Sequence, residues 1–232
     1  SVTSSSRSVV AQARDDINYI SNSVKATVDA YDGTVTLYEW DASDPVLQTW
    51  SKAFPGVVQP ESAIPAPLMA HLRYPVDLFK VQRKILAQYH ITDANSFYSG
   101  TDFWSIPDDP AKRVQQPQPP YYLQVQMPGM AAPVFSLTTT FAPQKRPTLA
   151  AFMAVNSEPG PNYGKIEVLQ LPSNTTIPGP VQVQNNFETD PDVKQQLTLL
   201  RGSGSSDIDY GNLLSLPVAG GVLYVEPVYI QA

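Results

Sequence analysis

The chain has 232 residues, of which 42% are hydrophobic, so a sizeable core is available without disulfides or metals. It contains no Cys, which excludes disulfide frameworks, thiolate nucleophiles and zinc sites built on sulfur. A net charge of −6 and the lack of a basic stripe argue against nucleic acid as a partner, because phosphate contacts require clustered Lys and Arg.

The surface is expected to be polar rather than ionic. Only 16% of the residues are charged, and 23 are Pro, about double the usual frequency. The extra prolines stiffen loops, and the composition suits a protein that works outside the cytoplasm. The most apolar stretch, 213–230, is interrupted by Pro217, Gly220 and Glu226, so it is predicted to form two strands rather than a membrane-spanning helix.

The first predicted element is a helix from Ser8 to Ala30. Apolar residues recur there at spacings of three and four, which is the pattern of one helical stripe. These residues are Val10, Ala13, Ile17, Ile20, Val24 and Val28. Gly33 ends the helix, and the alternation over Thr34–Trp40 predicts a strand.

Three further helices are predicted before residue 90. Asp44 and Pro45 form a cap and first-turn pair that begins a short helix. Its buried face is expected to consist of Val46, Leu47, Trp50 and Phe54. Apolar spacing indicates two more helices, near Leu68–Leu72 and over Pro75–Tyr89.

The second half is predicted to be rich in strands. A Pro- and Gln-rich stretch, 108–120, is expected to be a linker or a long surface loop. Beyond it, four segments with a period of two should form an antiparallel meander. They are Tyr121–Met127, Val134–Phe141, Leu149–Val155 and Lys165–Leu171.

The end of the chain is predicted to contain one helix and then strands. Asp190 and Pro191 begin this helix, and Gly202 ends it. The strands Leu213–Val218 and Val222–Ile230 flank a pair of glycines that favours a tight hairpin.

Together these elements predict the fold class α+β, in which a mainly helical N-terminal half packs on a mostly antiparallel sheet formed by the C-terminal half. The whole chain, 1–232, is expected to form one domain. Its parts are a helix-rich segment at 1–107, the linker or loop at 108–120 and a strand-rich segment at 121–232.

No complete catalytic motif is found. Gly160, Gly164 and Lys165 lack the spacing and the following helix of a phosphate-binding loop. Ser203 and Ser205 lie in a Gly- and Ser-rich stretch without the strand–turn–helix frame of a nucleophile elbow.

Metal and histidine chemistry is equally incomplete. Asp207 and Asp209 begin like a calcium loop that lacks the Glu at its twelfth position. His71 and His90 have no second His at the spacing that zinc enzymes use. His71 could act with Asp77 as base and orienter only if the corner between them folds the two together. The sequence therefore assigns no cofactor, metal ligand or catalytic residue.

Aromatic residues near loops are the remaining signal for binding. Trp104, Tyr121 and Tyr122 are the candidate binding residues, because rings at the ends of elements stack on sugars or fill a partner's pocket. Packing in the core is the alternative for all three. For Trp50, which lies on an apolar helical stripe, core packing is the expectation.

Five stretches carry a resemblance to a known family: NSVKATVDAYDGTVTLYEWD, HLRYPVDLFKVQRKILAQYH followed by FYSGTDFWSIPDDP, PPYYLQVQMPG, YGKIEVLQLPSNTTIPGP followed by QVQNNFETDP, and GNLLSLPVAGGVLYVEPVYIQA. From Ile17 to Ala232 the chain resembles the actinobacterial multi-pass membrane family catalogued as uncharacterised protein family 0182. The resemblance implies an extracytoplasmic domain at the cell membrane, with the protein's own transmembrane region as a partner. It implies no reaction and no binding residue.

Three functions remain open from the sequence. The first is a non-enzymatic binding or interaction module at the cell envelope, for an envelope component or a partner protein. The alternative is an envelope hydrolase that uses paired carboxylates, distant in sequence and adjacent in the fold. The third is an assembly module that joins copies of the parent protein.

Overall fold

The structure is a computed structural model that describes residues 2–4, 17–112, 114–144, 146–172, 174–201, 207–218 and 220–231. Helices and strands are interspersed along the chain, so the fold is α+β. The described residues form two compact units. The first unit contains the described residues up to Gln82 together with Glu158–Asn162. The second unit contains the described residues of Arg83–Ser157 and those from Tyr163 to the end of the chain. The expectation of a single domain stays a prediction.

The first unit is built on short strands. β1 (Val2–Ser4) is antiparallel to β2 (Ile17–Ile20). β3 (Val24–Val28) forms an antiparallel pair with β4 (Val35–Glu39), and β4 is parallel to β5 (Val58–Gln59). Val and Thr are frequent in β3 and β4, and such β-branched side chains suit the pleated backbone.

Three α-helices belong wholly or partly to this unit. They are α1 (Pro45–Ala53), α2 (Ala66–His71) and α3 (Val76–Tyr89), with a 3₁₀ turn at Glu61–Ala63 before α2. All three lie within two residues of the predicted helices. The residues of α3 from Arg83 onward are counted in the second unit. Buried side chains of the first unit include Tyr38, Leu47, Ile64, Tyr74 and Phe79.

Asp44 links the start of α1 to the packing of the first unit. Its Oδ1 accepts hydrogen bonds from the backbone N–H groups of Val46 and Leu47, at 2.7 and 2.9 Å. Its Oδ2 accepts one from the Tyr19 hydroxyl at 2.8 Å, and the residue is only 2% exposed. Burial by itself raises the pKa of this carboxyl, but the hydrogen bonds from Leu47, Tyr19, Ser21 and Val46 outweigh it and hold the pKa of Asp44 well below its usual range.

The second unit contains a five-stranded antiparallel sheet. Its strands are β6 (Trp104–Ser105), β7 (Tyr121–Val125), β8 (Val134–Pro143), β9 (Ala151–Asn156) and β10 (Ile166–Gln170), and a short helix, α4 (Ala94–Ser99), precedes them. β9 lies on one side of β8, β6 and β7 both lie on the other side, and β10 pairs with β9. The predicted antiparallel meander of four strands is confirmed.

Two helices and two pairs of strands complete this unit. The helices are α5 (Pro180–Thr189) and α6 (Pro191–Arg201). β11 (Asp207–Tyr210) pairs with β14 (Val228–Gln231), and β12 (Leu214–Val218) forms a hairpin with β13 (Gly221–Val225). Gly220 has a φ of 82° in the hairpin turn, so the predicted tight hairpin with a positive-φ glycine is confirmed.

Strand register decides what each face of the five-stranded sheet carries. Leu137, Phe141, Met153 and Val155 share one face and are completely buried. The opposite face carries Leu123, Val125, Phe152, Ala154 and Leu169, which form an apolar cluster. Because side chains alternate along each strand, the same pairing fixes both faces at once.

The predicted helix over Ser8–Ala30 is wrong, and with it the mainly helical N-terminal half. Residues 17–20 and 24–28 are strands β2 and β3, whereas 5–16 lie outside the described residues. Ile and Val at helical spacing also suit strands, and pairing with β1 and β4 supplies backbone hydrogen bonds that no local pattern reveals.

Helices in the described chain are not confined to its first half, because α5 and α6 lie near its end. Only α6 was predicted, although Gly179-Pro180 offers a start for α5 with Pro in the first turn. The long predicted strand Val222–Ile230 is divided into β13 and β14, and β14 pairs with a strand, β11, that was not predicted.

The expected core role of Trp50 is also wrong. Trp50 is 59% exposed, and it stacks on Phe54, itself 52% exposed, at a ring distance of 5.4 Å. Leu47 is the buried residue of α1. A stripe of one helical turn identifies residues that share a face, but not which part of that face is covered.

Asp44→Ala should lower the free energy of unfolding by about 2–3 kcal/mol, because it removes both a helix cap and a charge-assisted hydrogen bond from Tyr19. Asp93→Ala is the matched control. Asp93 caps α4 by accepting from the Ser96 N–H, but it is exposed, so its loss should cost about 1 kcal/mol. Urea denaturation of both variants measures the difference.

The additional loss in the free energy of unfolding that Asp44→Ala shows over Asp93→Ala should also depend on pH. Since the folded pKa is lower than the unfolded one, the carboxylate stabilises the fold above about pH 4, and this contribution is lost as the pH falls further. Equal costs for the two variants at neutral pH would contradict the role given to Asp44.

Candidate functional site

A groove of about 730 Å³ lies in the second unit. Its described lining comes from three parts of the chain: the end of β7 with the following turn (124–130 and 133), the end of β10 with the following loop (169–172 and 177), and the β12–β13 hairpin (216–218 and 220–222). Its volume is within the range of small-molecule binding sites. Val125, Met127 and Leu169 line the groove and belong to, or pack against, the apolar cluster on the sheet, so the floor of the groove is continuous with the core.

A tight turn holds two methionines at this groove. In the sequence Met127-Pro128-Gly129-Met130, the Met130 N–H donates to the Met127 carbonyl at 3.0 Å, and Gly129 has a φ of 87°. Gln126 Nε2 donates to the Met130 carbonyl at 2.9 Å and closes the turn further. Met127 is 4% exposed and Met130 is half-buried. Methionine side chains are flexible and polarisable, so they adapt to apolar ligands of varied shape.

None of the described residues that line the groove has an ionisable side chain. Gln124, Gln126 and Gln170 supply its polar side chains, and the remaining residues are apolar, Gly or Pro. Four prolines line it, at positions 128, 133, 172 and 217, and they lack backbone N–H groups. The described lining therefore has no group for acid–base or nucleophilic chemistry, and it suits an uncharged apolar ligand.

The three candidate aromatic residues lie elsewhere and do not share one exposed surface. Trp104 is 8% exposed, with its ring 3.5 Å from that of His90 and 5.2 Å from that of Phe141. Tyr121 and Tyr122 are half-buried and point to opposite faces of β7, because neighbours on a strand alternate. Tyr122 stacks on Phe135 at 5.6 Å. A role in binding stays a prediction for these residues.

A buried polar network lies beside Tyr121. Arg83 Nη1 donates to the Gln118 carbonyl at 2.9 Å and to Thr139 Oγ1 at 3.1 Å, and burial lowers the pKa of Arg83 to about 10. The Tyr121 hydroxyl is buried without a partner of hydrogen-bond geometry among the described residues. Burial, and then the charge of Asp109, raise the pKa of Tyr121. The two hydrogen bonds join Arg83, near the middle of α3, to Gln118 and to strand β8 within this unit.

The histidines and acidic motifs of the sequence do not assemble a catalytic centre. His71 Nδ1 is 2.6 Å from the Pro67 carbonyl, and Asp77 pairs with Lys80 at 3.6 Å, so the base-and-orienter arrangement of His71 and Asp77 is not formed. His90 Nδ1 lies 2.9 Å from the Leu86 carbonyl at the end of α3. In the described part of the chain, no three acidic, His or Cys side chains lie together in a way that could hold a metal ion. The serines of the Gly- and Ser-rich stretch lie outside the described residues.

Sequence reasoning did not find the groove. The alternation in β7 was visible, but the groove depends on three segments that are far apart in the sequence. Apolar residues in such segments look like core residues until the fold shows which of them remain accessible.

The fold and the groove define an α+β chain with an uncharged, methionine-lined apolar recess. A model of the Uncharacterised protein family (UPF0182) matches residues 2–200, so the chain belongs to this family. Relatives include the UPF0182 protein SCO5204 of Streptomyces coelicolor, 58% identical over 227 residues, and the UPF0182 protein Lxx09300 of Leifsonia xyli subsp. xyli, 58% identical over 236 residues. A third relative, from Thermobifida fusca, is 55% identical over 232 residues.

The chain is shorter than these relatives. The three alignments cover 97%, 96% and 99% of this chain but 22%, 24% and 23% of the respective relatives. No solved structure matches the chain. Among the described residues, no helix has the length and apolar character needed to cross a membrane.

Met127→Ala should lower the free energy of unfolding by about 2–4 kcal/mol, because Met127 is buried where the groove meets the core. Met130→Ala should cost roughly 1 kcal/mol, since this side chain is half-buried and less packing is lost. Thermal or chemical denaturation of the two variants tests the prediction. Equal losses in the free energy of unfolding would contradict the assignment of Met127 to the core and of Met130 to a more accessible position.

Proposed function

We propose that the chain is a non-enzymatic, extracytoplasmic binding module of a larger membrane protein, and that its groove holds the acyl chain of an envelope lipid. The observation that carries the proposal is the groove of about 730 Å³ without an ionisable residue in its described lining. An alkyl chain loses contact with water there, and no charged group has to be desolvated.

The lining favours an alkyl chain over a peptide. A peptide backbone needs hydrogen-bond partners, and the four prolines of the groove supply no N–H donor. The N–H of Met130 is bonded to Met127 within the turn, and the N–H of Leu171 donates to the Ala150 carbonyl at 2.9 Å. The flexible thioethers of Met127 and Met130 suit chains of varied length and unsaturation.

The extracytoplasmic location and the membrane attachment are parts of the proposal. Support comes from the low fraction of charged residues, from the resemblance to a multi-pass family and from the greater length of the relatives, which leaves room for a transmembrane region as the module's partner. The described residues that line the groove include no carboxylate for a hydrolase mechanism, so the alternative of an envelope hydrolase stays a prediction from the sequence.

Binding in the groove should be visible on the methionine methyl groups. With 13C-methyl-labelled Met, titration with n-decanol, an uncharged alkyl probe, should shift the resonances of Met127 and Met130 saturably. Met69 lies on α2, outside the groove, and its resonance should stay unchanged. Met130→Glu should weaken binding by more than about tenfold, because the carboxylate would have to be desolvated.

Val168→Glu is the matched control for the charged variant. Val168 lies on β10, is 40% exposed and does not line the groove, so its variant should bind n-decanol like the wild type. Equal weakening in both variants would contradict binding in the groove. Tighter binding of an uncharged apolar peptide than of any alkyl probe would contradict the lipid assignment.

The location can be tested through the lack of Cys in this chain. Tyr98 is 95% exposed, so Tyr98→Cys in the full-length protein should react with a membrane-impermeant maleimide in intact cells. The protein without this substitution controls for Cys outside the chain. Labelling of Tyr98→Cys only after the cells are lysed would contradict the extracytoplasmic location.

A further inference from the structure

A second, smaller cavity of about 160 Å³ lies in the same unit, away from the groove. Its walls come from α5, α6, β11 and the start of β14, and they are mostly apolar and aromatic, with Phe187, Leu197 and Tyr210 among them. Two carboxyl groups also line it, Glu188 from α5 and Glu226 from the segment between β13 and β14. An apolar recess with two acids combines a place for a hydrocarbon group with a place for a positive charge.

One carboxyl oxygen at this cavity lacks a donor. Among the described residues, Glu226 Oε1 is buried and has no hydrogen-bond partner, and the same is true of Gln184 Oε1, which lies next to the cavity on α5 and not in its lining. Gln184 is 4% exposed, and its Nε2 donates to Glu188 Oε1 at 3.4 Å, so its amide group lies against the acidic pair. A buried acceptor without a donor destabilises the fold, and a donor from a ligand would remove this penalty.

The negative charge of the pair is not balanced within the described chain. Ion pairs of the described residues include Lys80 with Asp77 and Lys165 with Glu167, but none involves Glu188 or Glu226. Burial raises the pKa of Glu226, Gln184 opposes this by hydrogen bonding, and the charges of Glu188 and Asp109 raise the pKa further. A bound cation would relieve this repulsion.

We propose that this cavity binds a small primary alkylammonium ion. An ammonium group has three N–H donors and no acceptor, which matches the unpartnered oxygen of Glu226 and the carboxyl group of Glu188 in the cavity lining. Its alkyl group would contact the apolar wall, and the rings of Phe187 and Tyr210 are suited to contact with a cation. A hard metal ion fits less well, since calcium takes six to eight oxygen ligands and the described residues hold no cluster of three acidic, His or Cys groups.

The amine could come from a free alkylamine or from an ethanolamine-type lipid headgroup. A headgroup also carries a phosphate, which would be repelled by the same two carboxylates. The free amine is therefore the expected ligand, and comparison of n-butylammonium with O-phosphoethanolamine distinguishes the two sources.

Calorimetric titration of the 232-residue chain with n-butylammonium chloride at pH 8, with sodium chloride as the reference, tests the site. Binding should be saturable, and Glu226→Gln should weaken it at least tenfold. Glu188→Gln, at an exposed position, provides a second test should Glu226→Gln fail to fold. Glu167→Gln removes the same charge from β10 and should leave binding unchanged. Tetramethylammonium has the charge but no N–H donor and should bind at least tenfold more weakly.

Acidification should also weaken n-butylammonium binding, as Glu226 takes up a proton beside Glu188, Asp109 and Tyr210. The absence of saturable heat would overturn the proposal. It would also be overturned if Glu226→Gln or Glu188→Gln bound n-butylammonium as tightly as the wild type does, or if the wild type bound tetramethylammonium as tightly as n-butylammonium. The groove is tested with n-decanol, which is uncharged, and the cavity with n-butylammonium. A negative result for one site therefore does not affect the test of the other.

Discussion

The register of strand β8 is the constraint on which the second unit depends. Its ten residues pair with β9 on one side and with β6 and β7 on the other, and its residues from Ser136 to Ala142 are all buried. A shift of one residue would exchange its two faces, so that Leu137 and Phe141 would move to the face of Phe152 and Ala154, and Thr138 and Thr140 would take their places. The position of β7, and hence of the Met127–Met130 turn beside the groove, follows from this pairing.

The groove and the smaller cavity of the second unit differ in the chemistry that they offer. The groove is formed by strand ends, prolines and methionines, and its described lining contains no charge. The smaller cavity is formed beside α5 and α6 and combines apolar walls with two carboxyl groups. Because charge is costly to bury, the two linings suit different classes of ligand, and we propose an uncharged alkyl chain for the groove and an alkyl cation for the cavity.

Local sequence signals located many elements because their causes are local. Asp44-Pro45 begins α1, because a capping carboxylate followed by a proline in the first turn favours the start of a helix. The alternation of apolar residues in segments from Tyr121 to Leu171 indicates the four strands of the meander. The same reasoning failed over 8–30, where residues of the described part form strands that are stabilised by partners distant in sequence. It failed for Trp50 because exposure is decided by what covers a helix, not by the helix itself.

The sequence by itself determined the absence of thiol chemistry, the period of the strands, several helix starts and, through its resemblance, the family. Only the tertiary structure decided which apolar residues line a recess and which carboxyl groups meet. Glu188 and Glu226 are 38 positions apart in the numbering, and the groove draws on segments from 124 to 222. Composition and spacing report what each segment prefers, whereas a binding site depends on which segments the folded backbone brings together.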